Sequence, residues 1–135
     1  MVELKVYEVV CGIVETKDGF LIAKRSETSR SGYWEFPGGG GENGESNEEA
    51  VIRELKEELE IDCKVLSYVG EIVDHRSEYD IHVSAYRCEW LSGDIHLNDH
   101  SEYRFVSAPQ LYHYHFEAAD KPILDILNQQ ANKGC

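Results

Sequence analysis

Apolar and polar positions along this chain follow two rhythms, and each predicts an element. Residues 6–15 are β-branched and strand-like, with Val6, Val9, Val10, Ile13 and Val14 among them. Lys17-Asp18-Gly19 is a turn signal, and residues 20–25 return as a second strand, so the pair predicts a hairpin. The polar stretch 26–32 predicts a mobile loop. Residues 65–73 and 81–90 read as further strands, 91–94 as a turn and 103–106 as a short strand. The period changes in two places. Ser46-Asn47-Glu48-Glu49 has the form of a capping box, with Ser46 accepting from the Glu49 amide while Glu49 reaches back. The helix it opens runs through Glu60, and Val51, Ile52, Leu55 and Leu59 share a stripe about 100° wide that predicts its packed face. Residues 122–130 predict a closing amphipathic helix on Ile123, Leu124, Ile126 and Leu127. Strands mixed with two helices, without strict alternation, predict an α+β fold: a mixed sheet sandwiched between helices.

Composition narrows the class. At 135 residues, with no repeat, low-complexity stretch or Pro/Ser-rich linker, a single domain over 1–135 is expected. No apolar run approaches the ~20 residues that span a bilayer. Residues 1–5 have no signal-peptide h-region, so a cytoplasmic protein without a membrane partner is expected. Cys11, Cys63, Cys88 and Cys135 form no CxxC pair and read as reduced thiols. Thirteen Lys+Arg stand against 26 Asp+Glu, a net charge of -13. That field repels a polyanion and argues against a nucleic-acid polymer as partner. A small anionic substrate would need a cation to bring it in.

The first helix offers a place for one. Glu54, Glu57 and Glu58 occupy an arc beside the apolar stripe, with small Ala50 near its middle. The like-charged pair Glu54 and Glu58 costs about 0.2–0.5 kcal/mol, and Glu49 before Arg53 recovers about as much. A charge run is most often a solvated helix face, but such a face interleaves its signs, and here Arg53 and Lys56 stand to one side. Mutually repelling oxygens are what a hard divalent cation relieves; Mg²⁺ takes a few carboxylates plus water and substrate phosphate. The preceding Gly39-Gly40-Gly41-Glu42-Asn43-Gly44 has the glycine spacing of a P-loop, yet Glu45-Ser46 follows where Lys-Ser or Lys-Thr is required. The phosphate-cradle reading fails, and a bare glycine run reads as a flexible turn. Of the six histidines (His75, His82, His96, His100, His113 and His115), His113 and His115 have two-residue spacing but no further ligand at a suitable interval. They are expected in solvent or on an edge strand rather than on zinc.

Gly39, Glu45, Arg53, Glu54, Leu55, Glu57, Glu58 and Ile61 together resemble the Nudix box: glycine, five residues, glutamate, seven residues, then Arg-Glu-apolar-any-Glu-Glu-any-Gly-apolar. Both gaps match, and only the last glycine is replaced, by Glu60. Trp34-Glu35-Phe36-Pro37-Gly38-Gly39 resembles the approach to the box in the MutT branch. Asp99-His100-Ser101-Glu102-Tyr103-Arg104-Phe105 resembles its late Glu-His segment, and Ala119-Asp120-Lys121-Pro122 the start of its last helix.

The resemblance implies an α/β/α sandwich and Mg²⁺-dependent hydrolysis of a nucleoside diphosphate linked to another group, with Mn²⁺ as a substitute. In the MutT branch a nucleoside triphosphate becomes a monophosphate plus pyrophosphate. It implies Glu57 and Glu58 as metal ligands, Glu54 as a further ligand or the base, and the Gly39 carbonyl as another ligand. Arg53 would orient a glutamate and Glu45 would steady the loop–helix junction. Asp99 matches a late acidic position that ligates metal or acts as base, with Glu102 as its substitute. Arg25 matches a phosphate-contacting arginine, with a plain strand-end arginine as the alternative. Gly40 stands where the branch usually has lysine. Phe36 would stack on a base. Asp120 matches a base-contacting position at which aspartate resembles the CTP pyrophosphohydrolase subgroup, since a carboxylate accepts from the cytosine N4 amine. Its alternative is a helix N-cap before Lys121-Pro122. The expectation is therefore an enzyme acting on CTP, dCTP or modified cytidine nucleotides, a monomer or homodimer. An oxidised-dGTP diphosphatase is the alternative, followed by hydrolysis of ADP-ribose or another diphosphate, and by a non-catalytic binding module.

Overall fold

The computed structural model describes residues 5–26 and 32–133, so most of the predicted 26–32 loop, and Cys135 among the expected thiols, lie outside the described residues. Strands β1 (Lys5–Thr16), β2 (Gly19–Arg25), β3 (Trp34–Glu35) and β4 (Gly38–Gly40) precede helix α1 (Asn47–Leu59). Strands β5 (Asp62–His75), β6 (Tyr79–Ser92) and β7 (His100–Val106) follow, then 3₁₀ turns at Pro109–His113 and Ala118–Asp120 and helix α2 (Lys121–Lys133). The sheet runs β3-β2-β1-β6-β5, with β4 paired to β1 and β7 to β2. β1 and β6 are parallel from Lys5↔Tyr79 to Val14↔Cys88, and the other pairings are antiparallel, so the sheet is mixed.

Strand alternation sorts β1 and β2 onto two faces. Val10, Val14 and Leu21 pack with Val51, Leu55 and Leu59 of α1. Cys11, Ile13, Phe20 and Ile22 pack with Ile123, Leu124 and Leu127 of α2. The result is the expected helix–sheet–helix sandwich. Cys11, Cys63 and Cys88 are free thiols buried in these two cores.

The predicted capping box at Ser46 is formed in both directions, with Glu49 N donating to Ser46 Oγ at 3.1 Å and Ser46 N to Glu49 Oε1 at 2.9 Å. The packed face of α1 is rotated from the expected stripe. Ile52 is 39% exposed, whereas Glu58 is only 8% exposed. At about 100° per residue, Glu58 falls between Ala50 and Val51 on the buried arc, and Ile52 lies beyond Leu59 at its rim. The acidic arc is therefore split, because Glu57 keeps its side chain 57% exposed.

The glycine run is also corrected. Gly38–Gly40 is not a flexible turn but strand β4, with Cys11↔Gly38, Val10↔Gly39 and Val9↔Gly40 in register. A Cβ at Gly38 would stand 2.0 Å from the Val10 carbonyl oxygen, so close backbone approach is what glycine supplies there. β6 runs two residues into the predicted 91–94 turn, Ser92 pairing with Asp62, and no turn forms there: Gly93 leaves the strand at φ 93° into irregular chain.

Candidate active site

Arg53 gathers the acidic residues around one guanidinium. Its Nε and Nη2 donate to Glu45 Oε2 and Oε1 at 2.8 and 3.0 Å, Nη1 donates to Glu54 and Glu57 at 3.0 Å each, and Nη2 reaches the Gly40 carbonyl at 2.9 Å. Glu45 Oε1 also accepts from the Glu42 amide at 3.0 Å. One side chain thus joins α1, the 41–46 loop and the end of β4. The hydrogen bonds to Glu45 raise the Arg53 pKa and hold the Glu45 carboxyl below its usual value. Gly39 packs directly against Glu54: a Cβ there would stand 2.7 Å from both the carboxyl carbon and Oε2.

Glu54 and Glu58 are pushed the other way. Burial raises the Glu54 pKa. Burial, then the charges of Glu35, Glu54 and Asp99, push Glu58 up to about 8, against a hydrogen bond from the Gly38 backbone. Oε2 of Glu58 is buried with no partner among the described residues. One oxygen each of Glu58 and Glu35 and a ring nitrogen of His100 lie within 4.8 Å of one another. A buried, unpartnered oxygen amid repelling carboxylates fits a divalent cation.

Asp99 is exposed, at the foot of β7. The last carbonyls of α1 lack helical partners, and the 96–98 segment supplies them. His96 N donates to Leu59 O, Asn98 N to Glu58 O, and Asn98 Nδ2 to Glu57 O at 2.7 Å. Those bonds bring Asp99 near Glu58. Glu102 lies on the far side of His100, in ion pairs with Lys24 and Arg104. Of the two expected placements, His100 takes the edge strand and not the solvent. Its side chain is only 2% exposed because it turns inward to Glu35.

Beside this ridge lie two cavities of about 260 and 210 Å³ that share Val9, Arg25, Ile72, Val83 and Asp120 in their walls. Arg25 donates to Glu35 Oε1 at 2.6 Å and Glu117 Oε1 at 3.1 Å. Arg76 joins Glu117 Oε2 at 2.9 Å to Asp74 at 2.6 Å. Both arginines in the cavity walls are therefore held by carboxylates. Asp120 ends the second 3₁₀ turn, and burial, then the charges of Glu117 and Glu35, push its carboxyl up to about 7. Phe36 borders the smaller cavity but is 8% exposed, its ring 5.4 Å from that of Phe116.

Sequence reasoning missed Glu35, Asn98, His100, Glu117 and Arg76. Glu35 and His100 stand inside quoted motif segments, where a signal existed. Glu117 carries none, because its partners Arg25 and Arg76 lie 92 and 41 residues away, and Arg76 shows locally only its pairing with Asp74.

The NUDIX domain profile matches residues 6–126. The chain is 33% identical over 123 residues to the CTP pyrophosphohydrolase of Escherichia coli (strain K12), covering 90% of this chain and 91% of that protein. Among solved structures it resembles the E. coli ORF135 protein at TM-score 0.81 and 32% identity, covering 93% and 91% of the two chains. It shares the fold of a MutT protein from Methanosarcina mazei Go1 at TM-score 0.86 and 24% identity, over 97% and 99%. The box, the layered sheet and these likenesses agree: the chain belongs to the NUDIX family and is one of its pyrophosphohydrolases.

Proposed function

We propose that the protein is a Mg²⁺-dependent nucleoside triphosphate pyrophosphohydrolase that converts CTP, dCTP or a modified cytidine nucleotide, with water, to the monophosphate and pyrophosphate. The observation that carries the base assignment is Asp120, a carboxyl shared by the walls of two cavities beside the acidic ridge. Ionised, it accepts from the cytosine N4 amine; protonated, it adds a donor for N3. A carboxyl held near pH 7 supplies both forms. The name of the E. coli relative points the same way.

Within this reading, Glu57, Glu58 and the Gly39 carbonyl would hold Mg²⁺, with Glu54 as a further ligand or the base. The ion, when bound, neutralises the triphosphate and lowers the pKa of a bound water. Arg53 fixes Glu54 and Glu57 in place and offsets their repulsion. As the base, Glu54 would accept the water proton: burial raises its carboxyl above the ordinary value, which strengthens it as a proton acceptor. Asp99, beside Glu58, is the alternative base. Arg25 stays on the phosphate side of the cavities and exchanges a carboxylate partner for a phosphate oxygen. Phe36 contributes an edge to the base pocket.

The test is Asp120→Asn. An amide keeps the shape but cannot ionise, so the ratio of kcat/KM for CTP over dGTP should fall by about tenfold, the worth of one good base contact. An unchanged ratio with normal folding would reduce Asp120 to a turn residue.

A further inference from the structure

Building on the metal-dependent reading, we propose that Glu35, Glu58 and His100 form a nitrogen-bearing cation subsite that shares Glu58 with the acidic ridge of α1. It would take a borderline divalent ion such as Mn²⁺ or Co²⁺. The three side chains come from β3, α1 and β7, and a ring nitrogen and two carboxylate oxygens converge within 4.8 Å. Glu58 and His100 are each more than nine-tenths buried. Each leaves a buried polar atom without a partner among the described residues: Oε2 of Glu58 and Nδ1 of His100. An unpaired buried polar atom is costly and rare in a folded protein. An occupant that partners them would relieve that cost, and its charge is set by the surroundings.

Glu58 faces Glu35, Glu54 and Asp99. Arg25 is paired with Glu35 and shared with Glu117, and Arg53 is paired with Glu54 and shared with Glu45 and Glu57, so neither bonds Glu58 itself. A divalent ion cancels that negative surplus, whereas an apolar occupant would not. The imidazole decides which ion. Mg²⁺ favours an all-oxygen shell and keeps its waters, while Mn²⁺ and Co²⁺ accept imidazole nitrogen. A histidine that ligates metal generally has its ring oriented by a carboxylate. Glu35 plays that part: its Oε2 holds His100 Nε2 at 2.7 Å and its Oε1 is held by Arg25, which leaves His100 Nδ1 and the Glu58 oxygen to meet an ion. The subsite is thus preorganised from both sides.

The test adds Mn²⁺ alone to the whole chain, without nucleotide, and reads electron spin-echo modulation on the bound ion. Imidazole ¹⁴N modulation is expected, changing to the ¹⁵N pattern when only histidine is ¹⁵N-labelled. In His100→Gln that modulation should vanish while Mn²⁺ still binds the ridge. The labelled wild-type protein needs no variant, so a folding failure in His100→Gln does not decide the matter. Mn²⁺ held by oxygen alone, or nitrogen modulation that survives in a folded His100→Gln, overturns the subsite and leaves the pyrophosphohydrolase reading intact. Failure of Mn²⁺ to bind at millimolar concentration also overturns the subsite. Loss of Mg²⁺-dependent CTP turnover in Glu57→Gln judges the underlying reading separately.

Discussion

Glu60 stands at φ 60°, ψ 31°, the one left-handed non-glycine among the described residues, with its amide donating to Lys56 O at 3.0 Å. Its Cβ meets the crowding that glycine avoids, at a cost of about 1 kcal/mol. Glu60→Gly should therefore stabilise the fold by about 1 kcal/mol, read as a higher urea midpoint at unchanged slope, and no gain would mean that the exposed glutamate is compensated locally. This residue was legible in the sequence because a motif position demanded glycine and lacked it. Glu58 was legible as a carboxylate of the box, but its burial was not. Only the fold shows that β4 and the 96–98 segment close over it. In the sequence His100 is an ordinary histidine, because its partner, Glu35, lies 65 residues away.

The elements were more readable than their faces. The hairpin, the long strands, the capping box and the closing helix all follow local pattern, and all are present. β4 escaped because three glycines carry no side-chain alternation; what makes them a strand is the Val9–Cys11 backbone beside them. The face of α1 differs from the apolar stripe because such a stripe cannot reveal that a carboxylate, Glu58, sits inside the packed arc. The rotation has a measurable consequence. Leu55→Ala, fully buried against β1, should cost about 2–5 kcal/mol. Ile52→Ala, at the exposed rim, should cost under about 1 kcal/mol. Equal losses in urea titrations would restore the original stripe.

At the scale of the molecule, the parallel pairing of β1 with β6 and the chain Glu35–Arg25–Glu117–Arg76–Asp74 join residues far apart in sequence, so no local signal announces them. Buried carboxyls, with acidic neighbours adding to the effect, act on the whole molecule. Glu58 and Asp120 are held at about 8 and about 7, above the values of 4.5 and 3.8 they take when unfolded. The folded chain thus keeps protons that the unfolded chain has lost, and stability falls as pH rises between the two sets of values. Glu35, Glu45, Asp62 and Asp125 are shifted down, so their contribution is lost only as pH falls below the ordinary carboxylate range. Without added metal, Tm should decline from about pH 5 to about pH 8, and Mg²⁺ should recover most at the upper end. A Tm that is flat or rising across that range would show that these carboxyls ionise freely.

The most direct test of the central claim is ion-exchange analysis of products from parallel reactions with Mg²⁺. CTP, dCTP, 5-methyl-dCTP, 8-oxo-dGTP, dGTP and ADP-ribose would be the substrates, with Glu57→Gln as the control. The account predicts monophosphate plus pyrophosphate, fastest from a cytidine nucleotide and lost in the variant. Preferential cleavage of 8-oxo-dGTP would contradict the base assignment, and cleavage of ADP-ribose alone would contradict the triphosphate class. Turnover undiminished in Glu57→Gln would contradict the metal site on which the whole account depends.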